Sequence, residues 1–137
     1  MDCLFCKIAG NEKDTAIFEN SNCVAVLDVF PISKGHTLII PKKHYETILD
    51  LPDEEITLVF QAVKQTTALL RQALAPDGFT IGINHGKKAG QAIDHLHIHI
   101  IPRFDGDGGR SIHSIVQNPP KETLEEIKSK ILRYNTS

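Results

Sequence analysis

The sequence predicts an α+β fold: a five-stranded, mostly antiparallel sheet with one long helix and a C-terminal helix. Three observations predict it. Short runs that alternate apolar and polar residues recur between turn-forming clusters, as half-buried strands do. One stretch, bracketed by Pro52 and Pro76, keeps the 3.6-residue period of an amphipathic helix. Hairpin strands, this packing helix and then further strands follow one another along the chain.

Taken in order, residues 16–19 and 23–27 are apolar-rich runs flanking Asn20-Ser21-Asn22, which reads as a hairpin. Residues 31–35 form a loop, and residues 37–40 a third strand ended by Pro41. Pro52 followed by Asp53, Glu54 and Glu55 is a favourable helix start, with proline's fixed φ and acidic residues at the positive end of the dipole. Ile56, Val59, Phe60, Val63, Thr67, Leu70 and Leu74 then form the expected buried stripe. Residues 79–84 alternate again as a fourth strand, and residues 95–101 as a fifth. After Pro119-Pro120, the residues Leu124, Ile127, Ile131 and Tyr134 lie on one stripe of a last helix.

At 137 residues the chain predicts a single domain, 1–137, long enough to bury a core. A net charge of −2 argues against a nucleic-acid binder that works through a broad basic surface. No run approaches the ~18 apolar residues of a membrane span. The opening Met-Asp-Cys-Leu-Phe-Cys lacks the basic and apolar regions of a signal peptide. Three cysteines, an odd number, suit a reducing compartment better than a disulfide framework. The expectation is a cytoplasmic protein without nucleic-acid or membrane partners.

The densest chemistry lies in His95-Leu96-His97-Ile98-His99-Ile100-Ile101. On a strand, the three imidazoles share one face and the aliphatic residues take the other. Imidazoles two residues apart stand ~6.5–7 Å from each other, close enough to act on one small anionic group. Imidazole serves as nucleophile, acid, base or metal ligand near neutral pH. Binding one metal ion with all three is geometrically poor, because i, i+2 and i+4 of a straight strand span ~13 Å. The loop 84–92 leads into this run. Gly86 and Gly90 let its backbone present N–H groups to a phosphate, and Gln91 and the Ala92 backbone are further donors for an oxyanion. Cys3-x-x-Cys6 has zinc-knuckle spacing but is half a site. His44 and His95 are the best candidates to complete it; two free thiols or a redox pair are the other readings. Cys23, in an apolar strand, reads as core, and His85 and His113 as surface residues. Arg103, Arg110 and His113, beside Asp105-Gly106-Asp107-Gly108-Gly109, stand outside the core set of candidates.

The combination resembles the histidine-triad (HIT) family of nucleotide hydrolases and transferases. The resemblance rests on Cys-Leu-Phe-Cys-Lys-Ile near the front, Leu-Asp-Val-Phe-Pro-Ile-Ser-Lys-Gly-His-Thr-Leu-Ile-Ile-Pro-Lys-Lys-His in the middle, and Ala-Gly-Gln-Ala-Ile-Asp-His-Leu-His-Ile-His-Ile-Ile-Pro-Arg towards the end. It is strongest to compact prokaryotic members near the nucleoside phosphoramidase branch. It implies a HIT-like α+β homodimer acting on a purine nucleotide substrate. His97 would be the nucleophile toward the α-phosphorus, with His99 and His36 flanking the phosphate. Asn84, Gly90, Gln91 and Ala92 would hold the phosphate, Asp28 the ribose hydroxyls, and Phe5, Ile8 and Val26 the base. A structural zinc would sit on Cys3, Cys6, His44 and His95. Ala92 stands where many relatives carry Ser or Thr, which removes one hydroxyl contact to phosphate. The expected reaction is release of an AMP-like nucleotide from an amine or phosphate through a nucleotidyl-His97 intermediate; the alternative is a nucleotide-binding regulatory dimer with little or no catalysis.

Overall fold

The computed structural model describes residues 3–135. It contains helices α1 (Leu4–Gly10), α2 (Asp53–Leu74) and α3 (Leu124–Leu132), and strands β1 (Ala16–Glu19), β2 (Cys23–Leu27), β3 (Thr37–Pro41), β4 (Gly78–Gly82) and β5 (Ile98–Arg103). The strands form one sheet in the order β1-β2-β3-β5-β4, and every neighbouring pair is antiparallel. The α+β architecture is therefore the one the sequence predicts.

Alternation along the central strands divides the core in two. Cys23, Ala25, Ile39, Leu96, Ile98 and Ile100 pack with Val59, Ala62, Val63 and Leu70 of α2. Val24, Val26, Leu38 and Ile40 face the other way and pack with Phe5 and Ala9 of α1. Because β2 and β3 are buried on both faces, they read as continuous apolar runs. His99 of β5, and His97 just ahead of the strand, border the same cavity as Phe5 and Ile8 of α1. Glu55, in the first turn of α2, accepts from Asn22 Nδ2 at 2.8 Å and from the Tyr45 hydroxyl. It thereby fastens the helix to the β1–β2 turn and to the 42–51 segment.

The local departures have local causes. The expected fifth strand over 95–101 begins only at Ile98 and runs on to Arg103. Ahead of it, Leu96 N–H donates to Tyr45 O at 2.6 Å, outside the ladder that joins β3 to β5. The fourth strand ends at Gly82, before Asn84. Helix α1 is not among the expected elements; with the stripe Phe5, Ile8 and Ala9 it has only seven residues, short of the length at which periodicity identifies a helix. The buried stripe of α2 comprises Glu55, Val59, Ala62, Val63, Thr66 and Leu70. It is rotated by roughly 60° from the expected stripe, at ~100° per residue, so Ile56 and Phe60 are exposed. Helix α3 forms as expected, capped by Thr123 Oγ1 on Glu126 N–H, but buries none of its residues. No helix among the described residues is long and apolar enough to cross a membrane.

Candidate functional site

His97 sits just before β5, buried, and its ring makes an edge contact with Phe5 at 4.8 Å between centroids. Its Nδ1 lies 2.7 Å from His95 O. A carbonyl only accepts, so Nδ1 carries the proton and Nε2 keeps its lone pair. The next ring, His99, is 5.1 Å from His97, centroid to centroid.

The protons of His36 and His99 follow from the same reasoning. Ile32 N–H donates to His36 Nδ1 at 3.3 Å, so neutral His36 carries its proton on Nε2. That nitrogen lies 2.9 Å from His99 Nδ1, which therefore accepts. His99 is left with a proton on Nε2, a buried atom without a hydrogen-bond partner. An orphaned buried donor is costly unless a ligand supplies the acceptor. Burial, then the neighbouring His97 and His36, hold the His99 pKa down at about 4, so the ring is neutral at pH 7. Burial also lowers His36, while Asp28, whose Oδ2 is 3.6 Å from His36 Nε2, works the other way.

The His97 and His99 rings border a cavity of about 360 Å³ between the sheet and α1, a size suited to a small organic ligand. Phe5, Ile8, Val26, Asp28, Asn84, Gly90, Ala92, His97 and His99, all expected at a nucleotide site, line it. The apolar end also includes Leu4, Val29, Phe30, Leu38 and Ile93, which sequence reasoning missed. Leu4 was missed along with α1; Val29 and Phe30, strongly exposed in the fold, directly follow the expected site residue Asp28, and that adjacency is the sequence signal for them.

Two expected residues stand behind the cavity wall. His36 is buried and reaches it through His99. Gln91 is corrected more substantially. Its Oε1 accepts from Gly86 N–H at 2.8 Å and its Nε2 donates to Glu46 O at 2.7 Å. A buried amide has to satisfy both ends, and here the protein does so, leaving one amide hydrogen over. The loop is likewise less open than a phosphate-binding nest. Ala89, Gly90 and Gln91 donate their N–H groups to Gly86 O or Lys87 O. The Ala92 N–H takes no part in these bonds. Gly90, at φ +100°, packs beside Asn84, where an added Cβ would stand 3.6 Å from the amide nitrogen. Arg103 is also committed: it forms a two-point pair with Asp107 and donates to Thr80 Oγ1 and Arg110 O, so it braces the 105–110 segment.

Next to the cavity, ligand atoms of Cys3, Cys6, His44 and His95 converge. Cys3 Sγ and Cys6 Sγ lie 3.4 and 3.5 Å from His95 Nδ1, and Cys6 Sγ is 3.3 Å from His44 Nδ1. Tetrahedral zinc, with Zn–S ~2.3 Å and Zn–N ~2.05 Å, would separate such atoms by ~3.5 Å. His95 Nε2 lies 2.8 Å from Pro41 O. The proton is on Nε2, and the Nδ1 lone pair faces the thiols, the second-sphere arrangement usual for a metal-bound histidine. Burial and the adjacent Cys3 raise the Cys6 thiol, so a bound cation would have to displace its proton. The four residues fit a zinc ion.

A model of the HIT domain family matches residues 9–106. An uncharacterized HIT-like protein of Methanocaldococcus jannaschii is 43% identical over 128 residues, covering 92% of this chain and 98% of its own. The adenosine 5′-monophosphoramidase of Schizosaccharomyces pombe is 36% identical over 136 residues, covering 96% and 99%. An adenylylsulfatase of Arabidopsis thaliana is 40% identical over 107 residues, covering 77% of this chain and 54% of its own. Among solved structures, a HIT family member from Bacillus subtilis superposes with a TM-score of 0.86 at 34% identity, covering 100% of this chain and 99% of its own. A Zn-bound histidine triad family protein from Mycobacterium smegmatis superposes at 0.71 with 32% identity, covering 97% and 91%.

Proposed function

The chain belongs to the HIT family, and on that premise we propose that it is a nucleotide hydrolase. It releases a purine nucleoside 5′-monophosphate from an amine or phosphate leaving group. The observation that carries this reading is the His97 ring, which borders the cavity with Nδ1–H tied to His95 O, so that the neutral ring has its lone pair on Nε2. Nε2 attacks the α-phosphorus, the bond to the leaving group breaks, and a nucleotidyl-His97 forms. Water then attacks that phosphorus, the P–N bond to His97 breaks, and the nucleoside monophosphate departs. Covalent catalysis of this kind divides one hard displacement into two easier ones.

His99 offers its orphaned Nε2–H to the phosphoryl oxygens or the leaving atom, and His36 fixes that tautomer from behind. A phosphate oxyanion beside His99 favours its protonation, so substrate converts a neutral donor into the acid that the departing amine requires. The Ala92 backbone and Asn84 hold phosphate oxygens, Asp28 accepts the ribose hydroxyls, and Phe5, Ile8 and Val26 enclose the base. Gln91 acts by shaping the loop. Relatives named as an adenosine 5′-monophosphoramidase and an adenylylsulfatase support an adenine nucleotide. In this reading Cys3, Cys6, His44 and His95 hold a zinc ion. The set is closed, so the metal supplies cohesion and takes no part in bond breaking. The active form is a homodimer.

The test is hydrolysis of an adenosine 5′-phosphoramidate with a fluorescent amine, wild type beside His97→Ala. The wild type releases the amine and the variant loses about 10³-fold or more of the rate, while still binding AMP. Turnover that survives the substitution would overturn the nucleophile. AMP binding by the wild type with no turnover of phosphoramidate or polyphosphate-linked substrates would favour the regulatory dimer.

A further inference from the structure

The Cys3/Cys6/His44/His95 cluster reaches three parts of the neighbouring cavity through short covalent or hydrogen-bonded links. Cys3 caps α1 and Cys6 lies in its first turn. Between them stands Phe5, whose ring meets His95 at 6.1 Å and His97 at 4.8 Å. His95 has its ring in the cluster and its carbonyl on His97 Nδ1, the bond that sets the His97 tautomer. His44 precedes Tyr45, whose carbonyl accepts from Leu96 N–H, and Glu46, whose carbonyl accepts from Gln91 Nε2. Gln91 in turn holds Gly86 and so shapes the loop bearing Gly90 and Ala92. Base wall, triad and phosphate loop are thus all suspended from one cluster.

We propose that this cluster is energetically coupled to the nucleotide cavity, with Gln91 and His95 as the positioning residues. Zinc at the four ligands strengthens nucleotide binding, and nucleotide in the cavity tightens the hold on zinc. The coupling has a physical basis. Helix α1 has seven residues, below the length at which a helix persists by itself, so Phe5 is kept in place by its packing on the sheet together with the tie at the helix N-terminus. Ordering that a first ligand has already imposed is not imposed again by the second. Such coupling is reciprocal, and couplings between two sites typically amount to 5–150-fold. The inference rests on the nucleotide reading given above.

The experiment uses the full-length protein loaded with one zinc per chain, with AMP as the ligand. AMP affinity is measured by calorimetry, and transfer of zinc to an excess of chelating dye is then timed with and without saturating AMP. The expected result is a release rate at least fivefold slower with AMP. In Gln91→Met the slowing shrinks to less than twofold. In Val59→Ala, a change in the core under α2 on the far face of the sheet, the slowing persists in full. Because the protein stays metal-loaded and folded at the start, the result does not depend on a stable metal-free form. Bound AMP that leaves zinc release unchanged overturns the coupling and spares the nucleotide reading. Slowing that survives intact in Gln91→Met, or that falls equally in Val59→Ala, overturns it by showing general stabilisation of the fold. Failure of the zinc-loaded wild type to bind AMP removes the nucleotide reading and this inference together.

Discussion

His95, His97 and His99 alternate in sequence, but each has its proton placed differently by its neighbours. His95 gives its proton to Pro41 O, His97 gives its proton to His95 O, and His99 keeps one that nothing accepts. The consequence for stability has a definite sign. The folded chain keeps His99 neutral down to about pH 4, against an ordinary value of 6.5. Between those values the unfolded chain binds a proton that the folded chain refuses, so stability falls as pH drops. Above pH 6.5 both states are neutral and the contribution vanishes. His36, also lowered, acts in the same direction. Urea midpoints should be flat from pH 8 to 7 and decline from about 6.5 toward 4. His99→Gln should show a shallower decline over that window than the wild type; equal slopes in the two proteins would refute the assignment.

At the scale of elements, what was legible followed from pattern length. The 22 residues of α2 give an unambiguous period, and the hairpin and β3 announce themselves by their turn residues. The exact face of α2 was not legible, because small and polar residues, Ala62 and Thr66, are buried where larger apolar ones were expected. Helix α1 was hidden by brevity, and the true start of β5 by hydrogen bonds to the 42–51 segment, distant in sequence. The candidate site was legible for a related reason: its residues are chemically distinctive, whereas the role of Gln91 depends on Glu46 and could only be seen in three dimensions. Gly35 makes a testable case of a turn residue set by an element's neighbours. It sits at φ +86°, and a Cβ there would come within 2.4 Å of Leu74 Cδ1 and 3.2 Å of Pro102 Cγ. Left-handed strain and crowding together should make Gly35→Ala cost about 1–3 kcal/mol. Because His36 follows directly, turnover should fall as well. Thermal and urea unfolding check the first claim, and an unchanged midpoint would contradict it.

At the scale of the whole molecule, the single chain leaves several large apolar side chains exposed. Ile56 and Phe60, one turn apart on α2, are 37% and 43% exposed, and Ile81 on the edge strand β4 is 38% exposed. Further along, Leu124 and Ile131 of α3, and Tyr134 just after it, are exposed. Exposed apolar surface becomes a contact surface where it is contiguous, and a two-fold interface needs the same patch on both copies. The homodimer reading therefore predicts a sedimenting mass twice the 15.2 kDa of one chain at micromolar concentration. A charge placed in the patch tests which face is used. Phe60 is large, aromatic and half exposed, and such residues carry a disproportionate share of interface energy, at ~2–4 kcal/mol each. Phe60→Asp should raise the dimer dissociation constant by about 30- to 1,000-fold, while leaving far-ultraviolet circular dichroism unchanged because the side chain does not belong to the core. A wild-type protein that sediments at the mass of one chain would refute the dimer. A Phe60→Asp protein that stays dimeric would move the interface off this flank of α2, toward β4 or α3.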